Sequence, residues 1–197
     1  MISWFFIGLV ITILLTPGPT NTLLASSGIQ VGLRESLLLI PAEAIGYILA
    51  ISAWGMLIGK VSATLPLLPT FLKLLSARYI IFLAIKLWRT ANQEVILNQP
   101  TIRPRELLCA TLLNPKALLF ASAIFPTTAW QTQEIYVAHM SSFVALILPI
   151  ALFWISVGAV LATSKVKWLS QSKLQRTASV VLISFAIPIS YSALINL

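Results

Sequence analysis

Three ionisable residues, Glu43, Arg78 and Lys116, stand well inside long apolar runs of this 197-residue chain. A charge at mid-bilayer costs at least about 2.5–3.5 kcal/mol on insertion scales, so such a residue faces protein or water and has a partner. Glu43 is the sole acid in those runs, and it can pair with Lys116 or with Arg78. A buried carboxylate and a buried ammonium group suit a zwitterionic ligand. Its ammonium would meet Glu43, and its carboxylate would meet Lys116 and the open N–H groups of a nearby half-helix. Either residue can instead carry a coupling proton, and the residue types alone leave these roles open.

Lys116 directly follows a helix break, one of two in the chain. The first apolar run contains Thr16-Pro17-Gly18-Pro19-Thr20-Asn21, and the fourth contains Asn114-Pro115-Lys116. Each proline removes an N–H donor and clashes with the preceding turn. In hydrocarbon the carbonyls so freed must find partners or line a cavity. Both breaks follow paired leucines, Leu14-Leu15 and Leu112-Leu113. At about 1.5 Å per residue, Pro17 and Lys116 each lie about 14 Å from the cytoplasmic ends of their helices. Matched breaks in corresponding helices are a pointer to a transporter site. The expected pathway residues are therefore Pro17, Gly18, Pro19, Asn21, Glu43, Asn114, Pro115 and Lys116, with Arg78 as an alternative charge partner.

The elements that must position these residues follow from composition. Apolar residues make up 58% of the chain and charged ones 9%, against about 45–50% and about 25% in ordinary soluble domains. Six apolar segments span roughly 2–26, 37–58, 67–88, 107–129, 140–162 and 177–197. They are continuously apolar rather than alternating, which argues for helices and against a β-barrel. The expected fold is all-α: a polytopic membrane protein of six transmembrane helices, in one membrane domain over 1–197. Basic residues cluster in the first, third and fifth connections (Arg34; Arg89, Arg103 and Arg105; Lys165, Lys167, Lys173 and Arg176). That excess puts these connections in the cytoplasm and both termini outside. The polar stretch near 89–106 divides the chain into halves of about 1–95 and 104–197. Each half holds an odd number of helices, so the two would be inverted repeats with helices one and four broken.

The same counts exclude other chemistry. The chain has no aspartate, one histidine and one cysteine, so neither a metal cluster nor a CxxC redox pair is expected. No cofactor is called for, and a membrane enzyme or thiol-electron carrier lacks its residues. The net charge of +8 suits loops facing an anionic leaflet rather than nucleic acid. His139 and Glu134 are expected solvated in a short outer loop, and Cys109 is expected as a packing residue. Lys73 and Lys86 snorkel to the interfaces. Trp4, Trp88, Trp130 and Trp168 belong near those interfaces, and Trp54 and Trp154 pack inside. The apolar start, with no preceding Lys or Arg, is expected to be an uncleaved first helix.

At these motifs the chain resembles the LysE/RhtB family of amino-acid exporters. The resemblance rests on Thr16-Pro-Gly-Pro-Thr-Asn21, with Gly32 and Gly46 at the family's spacing. It continues with Tyr79-Ile-Ile-Phe-Leu-Ala-Ile-Lys-Leu-Trp-Arg89, Asn114-Pro-Lys-Ala-Leu-Leu-Phe120 and Phe125-Pro126. It implies a small exporter of the bacterial inner membrane, driven by proton exchange, for amino acids or related small metabolites. Pro17, Gly18, Pro19, Asn21, Asn114, Pro115 and Lys116 carry over as pathway positions. Ser36, Ala42, Ser76, Ala84 and Leu107 stand where the family has glycine, and Arg78 where it has a small residue. The expected partners are a small-molecule substrate, protons and the lipid bilayer, and a homo-oligomer is compatible with the chain. The alternatives are a divergent, non-transporting membrane partner, a channel, or an exporter of another solute such as a metal ion.

Overall fold

The computed structural model of the chain describes residues 2–61, 64–65, 67–90 and 102–162, with separate positions between 176 and 195. Helix α1 (Trp4–Leu15) starts at Ser3, whose hydroxyl oxygen accepts from Phe6 N at 3.1 Å. It stops at Thr16, because Pro17 and Pro19 cannot continue its hydrogen-bond ladder. Helix α2 (Pro19–Ser36) begins with Pro19 in its first turn, where a missing N–H costs nothing. The two helices meet at 55°. Near its end α2 kinks at Gly32, whose φ of 84° is one that L side chains rarely adopt. The first span therefore ends at Ser36 rather than at Ser26, and Arg34 lies in its last turn rather than in a loop.

Helices α3 (Leu39–Val61) and α4 (Leu68–Thr90) follow the second and third expected segments closely. Helix α5 (Pro104–Leu112) starts before the expected Leu107, with Glu106 Oε2 accepting from Arg103 N at 3.0 Å. After a break at Leu113 and Asn114 the chain resumes as α6 (Pro115–Leu119). A π-helical turn (Phe120–Ile124) follows and closes with Phe125 N donating to Phe120 O at 2.8 Å. The halves of this span meet at 45°. A 3-10 turn (Thr127–Trp130) leads into α7 (Gln133–Ala162).

Helix α7 is 30 residues long and begins well before the expected Met140, so Glu134 and His139 are helical, not in a loop. His139 is buried rather than solvated. Polar residues at 131–134 masked this start, because a long membrane helix can extend past the hydrocarbon. Helices α3 and α7, and each bent pair counted as one span, are long and apolar enough for four crossings among the described residues. The sixth expected segment and the loop holding Lys165, Lys167 and Lys173 lie largely outside the described residues. Ser179 is helical there and donates to Ala84 O of α4 at 2.7 Å.

Packing interlocks the two halves of the chain. Helices α1 and α2 pack on α7, while α5 and α6 pack on α3. Small residues let these backbones approach closely. A Cβ on Gly28 would lie 2.1 Å from Ile155 O, and one on Gly158 would lie 1.9 Å from Ala25 O. A Cβ on Gly46 would lie 2.7 Å from the Thr111 side chain, so this glycine is where α3 meets α5. The core between them is rich in aromatic rings. Phe6, Tyr47, Phe120, Phe125 and Phe143 are all buried, with neighbouring ring centroids 4.9–6.1 Å apart.

The outer surface is apolar, with Trp4 86% and Phe5 73% exposed. That is what a protein solvated by lipid presents. Trp154 is packed inside as expected. Trp54 is exposed, as is Cys109, so neither is the packing residue the sequence suggested. Trp130 stacks on Phe125 at 5.4 Å and lies against Gly55 and Gly59, where a Cβ would strike its ring or its own Cβ.

Candidate functional site

The break in the first span leaves carbonyls at the end of α1 with no helical partner. Two side chains satisfy them. Asn21 Nδ2, from the first turn of α2, reaches back to Leu14 O at 2.7 Å and Thr16 O at 2.8 Å. Lys116 Nζ, from the break in the fourth span, donates to Ile13 O at 2.9 Å and Thr16 O at 2.6 Å. Lys116 is 1% exposed. A cation placed on the last carbonyls of a helix also answers the negative end of its dipole.

Lys116 can reach this position because Gly18 makes room. A Cβ there would lie 3.0 Å from both Cε and Nζ of Lys116. Gly18 is extended, with φ of −159°, so its value is the space rather than the backbone angle. Pro17 and Pro19 enforce the break, and Pro115 opens α6 directly before the lysine.

Glu43 occupies the other end of the same break. It is 2% exposed and hydrogen-bonds the side chain of Thr20, in the first turn of α2. An acid at a helix N-terminus complements the positive dipole end, and Gly18 provides no side-chain cap there. The Lys116 charge acts on Glu43 through space, while the hydrogen bonds of the ammonium go to main-chain carbonyls. Thus the two intramembrane charges sit on opposite dipole ends of one broken helix. Arg78 is exposed on α4 and is not among the groups that act on Glu43.

Asn114 ties the second break to the first. Its side-chain oxygen accepts from Lys116 N at 3.0 Å, which caps α6. Its Nδ2 donates to Thr20 Oγ1 at 3.3 Å and to Tyr47 Oη at 3.0 Å. A buried polar chain therefore runs from Tyr47 through Asn114 and Thr20 to Glu43. Every member of this network is less than a tenth exposed.

Thr20 and Tyr47 are members of the site that were not among the expected pathway residues, although Thr20 lies inside the first motif. Tyr47 follows Glu43 by one helical turn on α3, a spacing that puts both on one face. Thr20 stands in the first turn after Pro19, where hydroxyl residues serve exposed helix ends.

Comparison with known proteins gives the family. The family described as LysE type translocator matches residues 11–193, and the chain belongs to that family. The family, by its description, is one of translocators. An "uncharacterized membrane protein" of Vibrio cholerae serotype O1 is 31% identical over 140 residues. The match covers 67% of this chain and 65% of the relative, so the chain spans under two thirds of that protein. No solved structure matches the chain.

Proposed function

We propose that this member of the LysE type translocator family exports amino acids, or closely related small metabolites, across the bacterial inner membrane in exchange for protons. One observation carries the reading: Lys116 of one broken span closes the break of the other, opposite Glu43. The two charges hold the positions that the charged groups of a zwitterion would seek. An α-carboxylate can take the open N–H groups at the start of α2, beside Glu43, and draw Lys116 to itself. An α-ammonium can take the α1 carbonyls that Lys116 releases, or pair with Glu43 directly. A zwitterion brings one charge of each sign to a site that holds one of each, so every buried ion can keep an opposite partner.

The same exchange supplies a conformational step. When Lys116 leaves Ile13 O and Thr16 O, α1 is no longer held to α6, and the 55° joint at Thr16–Gly18 is free to change angle. A proton on Glu43 would cancel its hold on the ammonium group and favour release. The pairing of α1 and α2 with α7, and of α5 and α6 with α3, supports two inverted halves rocking about the site. With connections 1, 3 and 5 in the cytoplasm, the starts of α1 and α7 face outward.

The test is uptake of a labelled amino-acid panel into proteoliposomes under an imposed pH gradient, with Lys116→Ala and Glu43→Gln as controls. Gradient-driven uptake that both variants lose is expected. A folded, inserted protein that moves no amino acid under any gradient would overturn the proposal.

A further inference from the structure

Apart from the central network, a cavity of about 490 Å³ opens between the starts of α1 and α7 and the turn that follows Pro126. Its polar lining is Ser3, Thr128, Glu134 and His139, and no lysine or arginine lines it among the described residues. His139 is 8% exposed. Its Nδ1 lies 2.8 Å from Ile135 O. A carbonyl oxygen can only accept, so Nδ1 carries the hydrogen and the neutral ring has its lone pair on Nε2. The ring is held by an edge contact with Phe6 at 4.8 Å and a tilted one with Phe125 at 6.3 Å.

The cavity thus presents a carboxylate, a fixed imidazole acceptor and two hydroxyls. Ser3 already accepts from Phe6 N, which leaves the α1 N-terminus capped. Among the described residues of the lining, Glu134 is the sole formal charge. This set of groups fits a cation with several N–H donors and suits an anion poorly. Behind His139, Phe125 and Phe143 continue inward to Tyr47, whose hydroxyl is bonded to Asn114. The cavity and the central site are therefore the two ends of one wall of aromatic side chains.

We propose that this cavity is a second binding station for the ammonium group of the transported substrate, separated from the central site by the Phe6–Phe125–Phe143 wall. The station rests on the exporter reading for its role, but its ligand chemistry follows from its own lining. A substrate leaving Glu43 would meet Glu134 and His139 next, so the aromatic wall is crossed between two acidic stations.

His139 is the one histidine of the chain, which makes a direct test simple. Protein prepared without a histidine tag and labelled with ¹⁵N-histidine would be placed in lipid nanodiscs and titrated with butylammonium, with butyrate as the anion control. The expected spectrum shows protonated Nδ1 and unprotonated Nε2, with Nε2 moving saturably on adding butylammonium and not on adding butyrate. Glu134→Gln should weaken that response by about tenfold, the worth of one charge-assisted hydrogen bond. Glu43→Gln and Lys116→Ala should leave it intact, because they alter only the central site. A flat Nε2 response, an equal response to butyrate, an undiminished response in Glu134→Gln, or its loss in both central variants would each overturn the station. A normal titration in a protein that transports nothing would instead sink the exporter reading and leave the cavity's cation binding standing.

Discussion

The break in the first span and the break in the fourth use different means to solve one problem, freed main-chain groups inside a membrane. The second break is largely self-contained. Leu113 N bonds Cys109 O, Asn114 N bonds Thr111 O, and the Asn114 side chain caps its own helix. The first break is not. Its last α1 carbonyls depend on Asn21 from beyond the break and on Lys116 from the other half of the chain. A self-satisfied break can act as a fixed lever. A break that borrows its partner is one that a competing ligand can open. In the proposed transport cycle this asymmetry assigns the moving joint to the first break and the latch to the second.

The largest effect on this contrast should come from Lys116→Ala. It removes the borrowed donor, strips Ile13 O and Thr16 O of their ammonium contact, and leaves Glu43 without its opposing charge. An unsatisfied buried group costs about 1–3 kcal/mol, so thermal unfolding in detergent should move down. Transport should fall to the level of empty liposomes. If the variant transported normally, the first break would be as self-sufficient as the second.

Gly18→Ala should have a smaller effect of a different kind. The added Cβ meets the end of a flexible lysine side chain rather than backbone, and the extended φ suits alanine. The fold should still form while Lys116 is pushed from its carbonyls, with a smaller drop in thermal stability than Lys116→Ala causes. A transport loss of about tenfold, equivalent to about 1.4 kcal/mol, is expected. By contrast, Gly28→Ala drives a methyl group into Ile155 O. It should lower the yield of folded protein, because α2 and α7 must part. Comparing thermal stability and uptake for the two variants separates a glycine that admits a latch from one that admits a helix.

Both breaks were legible in the sequence, because proline and glycine act on their own backbone. The charges were legible too, because Glu43 and Lys116 interrupt apolar runs. What lay beyond reach was long-range. Gly28 and Gly158 look ordinary until α2 and α7 are in contact. The sequence offered Lys116 as a receptor for a carboxylate, but its resting partners are carbonyls of α1, which depends on how two distant breaks pack. His139 follows a polar stretch that reads as a loop, and its burial depends on Phe6 of another helix. Ser36 shows the same limit. Its hydroxyl lies 2.8 Å from Ser27 Oγ, an internal pair no spacing rule announces.

The two asparagines grade the contrast more finely. Asn21→Ala leaves Leu14 O unbonded and Thr16 O dependent on Lys116 alone, at a cost of about 1–3 kcal/mol. Asn114→Ala removes a helix cap, worth about 0.5–2 kcal/mol, and cuts the chain between Tyr47 and Thr20. Asn114→Asp restores the cap but not the two donated bonds. Its stability should therefore recover while its uptake does not. Recovery of both would show that the cap is all Asn114 contributes.

The smallest effect is expected at Leu113, the residue on which the second break turns. It is 85% exposed, and its amide bonds its own helix, so its side chain neither fills the core nor reaches the first break. Leu113→Ala should change stability by no more than about 0.5 kcal/mol and leave uptake at the wild-type rate. If the second break is a fixed lever, trimming its exposed corner does nothing to the latch that the lever carries. A marked loss of transport with folding intact would mean that the second break also bends during the cycle, using Leu113 as a contact that forms only in the other state. The joint would then be shared between the two breaks, and the difference between them would be one of resting geometry alone.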